Sequence, residues 1–174
     1  MRRILIIGGN GSGKTTLARS LAACLGLPLV HLDQFYWRDD WQPTPQAEFD
    51  RLLDAAMARP AWIIDGNNKR TLPRRLNCCD TVIWLDFPTW RCVLGVLRRL
   101  LRAHGQSRPD MGGHCVERFD RRSLAFVRTV CRFRRRNQAD FERLLTAAPS
   151  VRLVRLKNPR QVRAFLQQIG ASQP

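Results

Sequence analysis

A glycine-rich stretch near the start of the chain limits its fold more than any other feature. Residues 6–18 read IIGGNGSGKTTLA, and Gly8, Gly13, Lys14 and Thr15 have the spacing G-x-x-x-x-G-K-T. Residues 3–8 are apolar and β-branched, as in a buried strand, and residues 13–26 carry apolar side chains at helical spacing. A strand that leads through such a loop into a helix is typical of a phosphate-binding loop, or P-loop, in an α/β protein.

The P-loop predicts that the cofactors are a nucleoside triphosphate, most simply ATP, and Mg²⁺. Glycines allow backbone N–H groups to approach phosphate oxygens without a steric clash. The ammonium group of Lys14 is expected to reach the β- and γ-phosphates, and the hydroxyl group of Thr15 is expected to contact Mg²⁺. The candidate nucleotide-binding residues are Gly8, Gly9, Asn10, Gly11, Ser12, Gly13, Lys14, Thr15 and Thr16.

Strand patterns alternate with helix patterns along the rest of the chain. Further strands are predicted at residues 27–32, 62–65, 81–86 and 151–156. Helices are predicted at residues 46–58, 90–103, 120–137, 138–147 and 160–169. The first of these helices is expected to have Thr44 as its N-cap and Pro45 as its first residue. The alternation predicts an α/β fold of three layers, with a doubly wound, parallel, five-stranded sheet.

The predicted strands end on residues that can carry chemistry. A length of 174 residues favours a single domain, residues 1–174, with one continuous sheet. Ligands of such sheets bind beyond the carboxyl ends of the strands. Gly8, Asp33, Asp65 and Asp86 all lie at such ends. We therefore expect one functional site at this edge, with Asp86, which precedes Phe87-Pro88, in a structural role.

The charge of the chain is strongly positive and unevenly distributed. The formal net charge is +16, and residues 91–136 contain 13 arginines against three acidic residues, a local net charge of +10. Such a segment attracts polyanions, so nucleotide phosphates and nucleic acid are both candidate partners of residues 91–136. No helix-turn-helix, zinc-finger or RNA-binding motif accompanies the charge.

Composition also bears on location. No apolar run approaches the roughly 18 residues that a membrane-spanning helix needs, and no signal-peptide core precedes the P-loop. The six cysteines lack C-x-x-C and zinc-ligand spacing, which favours free thiols in a reducing compartment. We predict a cytoplasmic protein without a membrane partner.

Several motifs outside the P-loop resemble those of a known family. WIIDGNNKRTLPRRL (residues 62–76) and VIWLDFP (residues 82–88) resemble consecutive segments of adenylate kinases. HLDQFYW (residues 31–37), WIIDGN and RPDM (residues 108–111) are similar to the adenylate-kinase-related family of DNA topology modulation proteins. The resemblance implies a nucleoside monophosphate kinase-like fold, with an acceptor flap at about residues 34–59 and a helical lid at about residues 104–136.

The resemblance also implies roles for three residues near the P-loop. Asp33 matches an acidic group that binds or deprotonates the acceptor, although an N-cap role is an equal alternative. Asp65 matches the carboxylate that holds the Mg²⁺ water, the alternative being a turn aspartate before Gly66. Arg70 matches an arginine that grips the acceptor phosphate. One extra residue precedes Arg70 in this chain, which leaves the acceptor's identity open.

The arginines of the lid are further catalytic candidates. Phosphoryl transfer needs positive charge around the transferring group and exclusion of water. Arg99 matches a family arginine, Arg108 lies in a segment rich in glycine and proline, and Arg132 lies on a predicted helix face. Gly112-Gly113 is expected to be a hinge of a mobile loop. About half of the arginines of residues 91–136 are expected to be solvated surface residues instead.

Two further positions concern recognition of the nucleotide or acceptor. Gly95 stands where adenylate kinases carry an arginine that packs on adenine, so a purine preference does not follow from the resemblance. The aromatic side chains of the flap either stack on a base or fill the flap's own core, and the second is favoured. These side chains are Phe35, Tyr36, Trp37 and Trp41.

Together these features predict a phosphotransferase of the nucleotide-kinase type. It would move the γ-phosphoryl group of ATP to a nucleotide or small-molecule acceptor, with Lys14, Asp33, Arg99, Arg108 and Arg132 as catalytic residues. The alternatives are an ATP-binding protein associated with nucleic acid and a simple NTPase.

Overall fold

The structure is a computed structural model that describes residues 1–107, 110–118 and 120–171. In chain order its elements are β1 (Arg3–Gly8), α1 (Lys14–Leu25), β2 (Leu29–His31), α2 (Leu32–Tyr36), β3 (Trp37–Arg38), β4 (Gln42–Pro43), α3 (Gln46–Met57), β5 (Trp62–Asp65), α4 (Leu72–Cys78), β6 (Thr81–Leu85), α5 (Thr89–Arg102), α6 (Arg121–Thr146), β7 (Arg152–Leu156) and α7 (Pro159–Ala171). Two short 3₁₀ turns, Asp39–Trp41 and Lys69–Thr71, lie between these elements.

Five of the strands form a parallel sheet with the order β2-β5-β1-β6-β7. The predicted parallel five-stranded sheet is therefore confirmed. The P-loop strand β1 is central, and its Ile6 is in register with Asp65 of β5. Asp65 consequently ends its strand directly beside the start of the P-loop, as the sequence predicts.

Helices cover both faces of the sheet because alternate side chains of the central strands are apolar on both sides. Ile4 and Ile6 of β1 point into one core cluster, which α1, α5 and α7 complete. Leu5 and Ile7 point into the opposite cluster, which is completed by α3 and α4. The long helix α6 contributes Val130 to the first cluster and its C-terminal half to the second. Among the described residues, no helix has the length and apolar character needed to cross a membrane.

Three local predictions were wrong. The second strand ends at His31, so Asp33 lies in the first turn of α2 and not at a strand end. Pro45 is the N-cap of α3, while Thr44 is buried and donates its backbone N–H to the carbonyl oxygen of Tyr36. The two predicted helices at residues 120–147 are one continuous helix, α6. Asn137, at the predicted break, instead donates a side-chain hydrogen bond to the carbonyl oxygen of Phe133 within the helix.

The predicted mobile loop also differs, because its described part is docked on the flap. The Sγ atom of Cys115 donates to the carbonyl oxygen of Arg38 at 3.3 Å, and the backbone N–H of His114 donates to Asp39. A Cβ atom on Gly112 would overlap the carbonyl oxygens of Gln34 and Trp37. Close contact with the flap backbone, and not a hinge, therefore explains why position 112 is a glycine.

A second close approach fixes the P-loop against α5. Gly95 of α5 lies against the backbone of Gly11, and a Cβ atom on Gly95 would overlap the Gly11 carbonyl oxygen. Both partners are backbone atoms, so neither can move aside as a flexible side chain would. The glycine at the position where the resemblance suggests an adenine-packing arginine is thus required by packing of the loop.

This contact makes a prediction about substitution of two helical glycines. We expect Gly95→Ala to lower the free energy of unfolding by about 1–3 kcal/mol, because a methyl group would force the P-loop away from α5. Gly170→Ala on α7 is the matched control, since a methyl group added there would meet no neighbouring atom within 4 Å. It should be neutral or stabilise by up to about 1 kcal/mol. Urea unfolding measures both, and equal effects of the two variants would contradict the proposed contact.

Candidate functional site

Side chains of the segment after β5 hold the start of the P-loop in place. Asn67 makes a pair of hydrogen bonds with the backbone of Gly8, in which Oδ1 accepts from the Gly8 N–H at 3.0 Å and Nδ2 donates to the Gly8 carbonyl at 2.8 Å. The two bonds fix the peptide where the chain leaves β1. The position of the first P-loop glycine therefore depends on a residue almost 60 positions later in the chain.

A buried arginine orders the segment that supplies Asn67. The guanidinium group of Arg75 is fully buried and donates to the carbonyl oxygens of Gly66, Asn67 and Asn68 at 2.8–2.9 Å. Burial lowers the pKa of Arg75 to about 10. Three carbonyl dipoles thus take the place of water around a positive charge, and they hold residues 66–68 in one conformation.

Lys14 carries the positive charge inside the P-loop. Its Nζ atom donates to the carbonyl oxygen of Gly9 at 3.1 Å. Burial lowers the pKa of Lys14 from its ordinary value, and the nearby carboxylates of Asp65 and Asp33 oppose that shift. Desolvation of this ammonium group is only partly compensated by the protein, and an anion such as a phosphate would compensate it further.

Asp65 is the centre of a small buried polar group. Its Oδ2 atom accepts a hydrogen bond from the hydroxyl of Thr15 at 3.0 Å and lies 3.1 Å from Nδ1 of His31. Its Oδ1 atom is buried and has no hydrogen-bond partner among the described residues. A buried carboxylate oxygen without a partner, next to a threonine hydroxyl, fits the oxygen donors that Mg²⁺ prefers. Thr15 and Asp65 are therefore suited to hold a Mg²⁺ ion, directly or through water.

A cavity of about 770 Å³ opens beside the P-loop. It lies between the P-loop, the flap, the turn after β5, the end of α5 and the lid. The described lining residues are Asn10, Leu32, Asp33, Tyr36, Trp37, Trp41, Asn68, Lys69, Arg70, Arg99, Leu100, Met111, Val116, Glu117, Arg118, Asp120, Arg122, Ser123 and Phe126. Its volume lies in the range of small-molecule sites, and its walls carry both apolar and charged groups.

Both predicted acceptor residues line this cavity. Asp33 faces it from the first turn of α2 and is close enough to Lys14 to raise the pKa of that ammonium group. Arg70 faces it from the turn after β5, where its guanidinium makes two hydrogen bonds to Asp50, at 3.0 and 2.6 Å. These bonds hold the pKa of Asp50 below its ordinary value. An anionic acceptor would compete with Asp50 for Arg70.

Arg99 is brought to the cavity by the last turn of α5. Its guanidinium lies 5.4 Å from the ring centre of Phe126, and its Nε atom lies 3.3 Å from Oε1 of Glu117. Glu117 is buried and belongs to the lid. The lid therefore contributes a carboxylate that holds Arg99 in position.

Of the other two predicted catalytic arginines, only Arg132 is among the described residues. Arg132 is exposed on α6 and is not among the described residues that line the cavity. Arg108 lies outside the described residues. The basic residues of the lid that do line the cavity are Arg118 and Arg122, which the sequence did not single out.

The aromatic residues of the flap divide into two groups. Phe35 packs against the core cluster of α3 and α4, as the favoured interpretation predicts. Tyr36, Trp37 and Trp41 pack edge to face on one another, with Tyr36 also on Phe49, and they line the cavity as well. The turn that presents Trp41 is strained, because Asp40 and Trp41 have φ angles of 54° and 60°, a region that favours glycine.

Sequence reasoning missed four residues that organise the site: His31, Asn67, Arg75 and Glu117. His31 was noted only as part of a motif, although its position beside a predicted strand end was a usable signal. Arg75 could not be distinguished among the many arginines of the chain. Asn67 and Glu117 act through partners 59 and 18 residues away in sequence, which no local pattern reveals.

Comparisons with known proteins agree with this geometry. A family model described as "ATPase family associated with various cellular activities (AAA)" matches residues 4–86, from β1 to the end of β6. This is slightly less than half of the chain. No curated protein sequence matches this chain.

Several solved structures share the fold. A shikimate kinase from Acinetobacter baumannii, in complex with shikimate, is 17% identical, with a TM-score of 0.55, and the match covers 97% of this chain and 90% of that chain. A shikimate kinase from Bacteroides thetaiotaomicron is 17% identical, with a TM-score of 0.54 and coverage of 98% and 96%. A presumed kinase from Chloroflexus aurantiacus is 18% identical, with a TM-score of 0.53 and coverage of 99% of both chains. The chain thus has the fold of these kinases, with a P-loop sequence between β1 and α1.

Because the desolvation of Lys14 is only partly compensated, its substitution should have opposite effects on stability and on ATP binding. We expect Lys14→Met to raise the free energy of unfolding without nucleotide by about 1 kcal/mol and to abolish stabilisation by ATP. The folded-state pKa is lowered, so the cost of burying the charge is fully present below that pKa and disappears as the pH rises toward 10.5. Thermal unfolding at several pH values, with and without ATP, measures this. Lys157→Met is the exposed control, and destabilisation of the nucleotide-free protein by Lys14→Met would refute the argument.

The open oxygen of Asp65 predicts a metal-dependent effect. We expect Asp65→Asn to reduce the gain in ATP affinity caused by Mg²⁺ by about tenfold or more, because the carboxylate charge is lost. ATP affinity in EDTA should change little. Titration of the protein with ATP, once in Mg²⁺ and once in EDTA, separates the metal-dependent affinity from the metal-independent one. Asp86→Asn, which breaks ion pairs with Arg155 and Arg134, should lower stability and leave the Mg²⁺ effect intact.

Proposed function

We propose that this protein is a P-loop phosphotransferase that moves the γ-phosphoryl group of ATP, bound with Mg²⁺, to a nucleotide or small-molecule acceptor. The nucleotide occupies the loop from Gly8 to Thr16. The acceptor occupies the cavity beside Asn10. Motifs similar to those of adenylate kinases and of DNA topology modulation proteins support the same reaction class.

The observation that carries this proposal is the cavity itself. A hydrolase needs room only for water beside the γ-phosphate, whereas a transferase needs a second site that excludes water. Here a cavity of about 770 Å³ has Asn10 of the P-loop and several lid residues in its walls, and the lid is docked on the flap. A site of this size suits an acceptor molecule better than a water molecule.

Asp33 has the position required of a general base for the acceptor. In the proposed reaction, the acceptor hydroxyl oxygen forms a bond to the γ-phosphorus while the bond from that phosphorus to the β–γ bridging oxygen breaks. The hydroxyl proton passes to the carboxylate of Asp33, and ADP leaves with the bridging oxygen. Asp33 faces the cavity and lies near Lys14, the expected ligand of the γ-phosphate.

Positive groups around the cavity would stabilise the transferring phosphoryl group. Lys14 would approach this group from the P-loop and Arg99 from α5, where Arg99 forms an ion pair with Glu117. Mg²⁺ bound by Thr15 and Asp65 would neutralise charge on the β- and γ-phosphates. Arg132, exposed on α6, would need movement of the lid to contribute, and Arg108 stays a candidate.

The acceptor is proposed to carry an anionic group as well as a hydroxyl group. Arg70, Arg118 and Arg122 line the cavity and could bind a carboxylate or a phosphate. Shikimate, which one structural neighbour binds, has a hydroxyl group that could accept the phosphoryl group and a carboxylate that could bind these arginines. A nucleoside monophosphate would instead accept the phosphoryl group on an oxygen of its phosphate, a reaction that needs no general base. Both classes therefore belong in an acceptor panel.

Steady-state turnover tests the proposal. ADP production from ATP and Mg²⁺ is measured with shikimate, with the four nucleoside monophosphates and with small alcohols, against Lys14→Ala as a control. At least one acceptor should raise ADP production above the rate without acceptor. If none does, and ATP alone is hydrolysed at the same rate throughout, the protein is a simple NTPase.

With an active acceptor, the role of Asp33 can be tested. We expect Asp33→Asn to lower kcat by about 10²-fold or more, because general-base catalysis contributes at that level. Asp54→Asn is the control, since Asp54 is a carboxylate of the same flap that pairs with Arg74 and is not among the described lining residues. An unchanged kcat with a raised KM would show that Asp33 binds the acceptor without accepting its proton.

A further inference from the structure

Helix α5 exposes a line of large apolar side chains, and the guanidinium of Arg91 lies over the ring of the first, Trp90, at 4.9 Å from the ring centre. Trp90, Leu94, Leu97 and Leu101, here named the α5 seam, are 58%, 41%, 37% and 69% exposed. They are four of the seven large apolar residues exposed in the described structure. The seam is about 17 Å long, from the rise of an α-helix. Nothing in the proposed reaction uses it.

Rotation of α5 could not bury the α5 seam in the core. The opposite side of α5 is already buried, with Cys92, Val96 and Leu100 in the core beneath the sheet. Rotation of the helix would expose these residues and separate Gly95 from Gly11. The α5 seam is therefore fixed outward by the same packing that positions the P-loop.

The spacing of the seam indicates the shape of what covers it. Intervals of four, three and four residues match the a and d positions of a heptad, with Trp90 and Leu97 at d and Leu94 and Leu101 at a. A line restricted to a and d is a narrow seam that one partner helix covers. An anionic membrane surface fits less well, because interfacial helices bury a wide apolar face, and here the rest of that face lies in the core.

Charge beside the seam indicates the chemistry of the partner. Arg91 and Arg98 occupy the e positions, which commonly form ion pairs between helices. No acidic residue occurs between Asp86 and Asp110. A second copy of this chain with α5 antiparallel would bring arginine against arginine, whereas a helix with glutamates beside its own apolar seam would be complementary.

We propose that the α5 seam is a docking site for an amphipathic helix of a partner protein that has leucine-like residues at a and d and acidic residues beside them. The seam supplies the apolar contact, and Arg91 and Arg98 select for acidic flanks. The site lies on the outer side of α5, away from the cavity that is lined by Arg99 and Leu100. Binding of a partner helix to the α5 seam is therefore independent of acceptor binding.

Two synthetic helices of about 21 residues, three heptads each, test the proposal. Both have leucine at a and d, one with glutamate and the other with lysine at e and g. Fluorescence anisotropy at about 0.15 M salt measures binding to the whole protein. The glutamate helix should bind at least about tenfold more tightly than the lysine helix, since e and g charges set partner choice.

Variants separate the seam from the general positive charge. Leu94→Gln/Leu101→Gln should weaken binding of the glutamate helix by about tenfold or more, because two apolar anchors are lost. Leu153→Gln, which removes an exposed leucine of β7, should leave binding unchanged. Stabilisation by ATP confirms that both variants are folded. Equal binding by wild type and the seam variant would overturn the proposal.

Two other outcomes would also overturn it. If wild-type protein is a dimer in sedimentation and Leu94→Gln/Leu101→Gln is a monomer, the seam binds a second copy instead. If neither helix binds, but vesicles of phosphatidylcholine with about one-third phosphatidylserine bind wild type and not the seam variant, the surface is a membrane contact.

Discussion

The site depends most on the partly buried ammonium group of Lys14. Desolvation lowers the pKa of this group, and the protein offsets it with one hydrogen bond to the carbonyl oxygen of Gly9 and with the nearby carboxylates of Asp65 and Asp33. The folded state therefore keeps a positive charge that is incompletely compensated. The phosphates of a bound triphosphate would replace the solvation that the Lys14 ammonium group has lost. Because the folded protein already holds this group in place, the charge need not be ordered or desolvated again when the ligand binds.

The P-loop keeps this geometry because distant parts of the chain hold it from two sides. Asn67, ordered by Arg75, fixes Gly8 from the β5 side, and Gly95 allows α5 to press against Gly11 from the other. The second contact also limits base recognition. An arginine at position 95, expected from adenylate kinases, would displace the loop, so any selection for a base must come from another element.

The sequence predicted what depends on local apolar pattern and on strand ends. The bounds of β1 and β5 agree with the structure, and Asp65 lies beside the P-loop as expected, because a short apolar run in a parallel sheet has few alternatives. Contacts between distant residues were not predictable. The sequence around Gly112 predicts a hinge, but in the structure two carbonyl oxygens of the flap leave no room for a side chain at this position. The β3–β4 hairpin, with two residues in each strand, was too short to leave a pattern.

The strained turn of the flap, residues 39–41, connects the flap to the lid. Trp41 lines the cavity, and its indole N–H donates to the carbonyl oxygen of Val116 in the lid at 3.3 Å. Left-handed φ angles at Asp40 and Trp41 cost about 1–3 kcal/mol each, and the lid contacts offset that cost. Movement of Val116 and Glu117 away from the flap would break the hydrogen bond from Trp41 and the ion pair with Arg99 together. An acceptor of the proposed kind that packs on Trp41 would therefore also stabilise the position of Arg99.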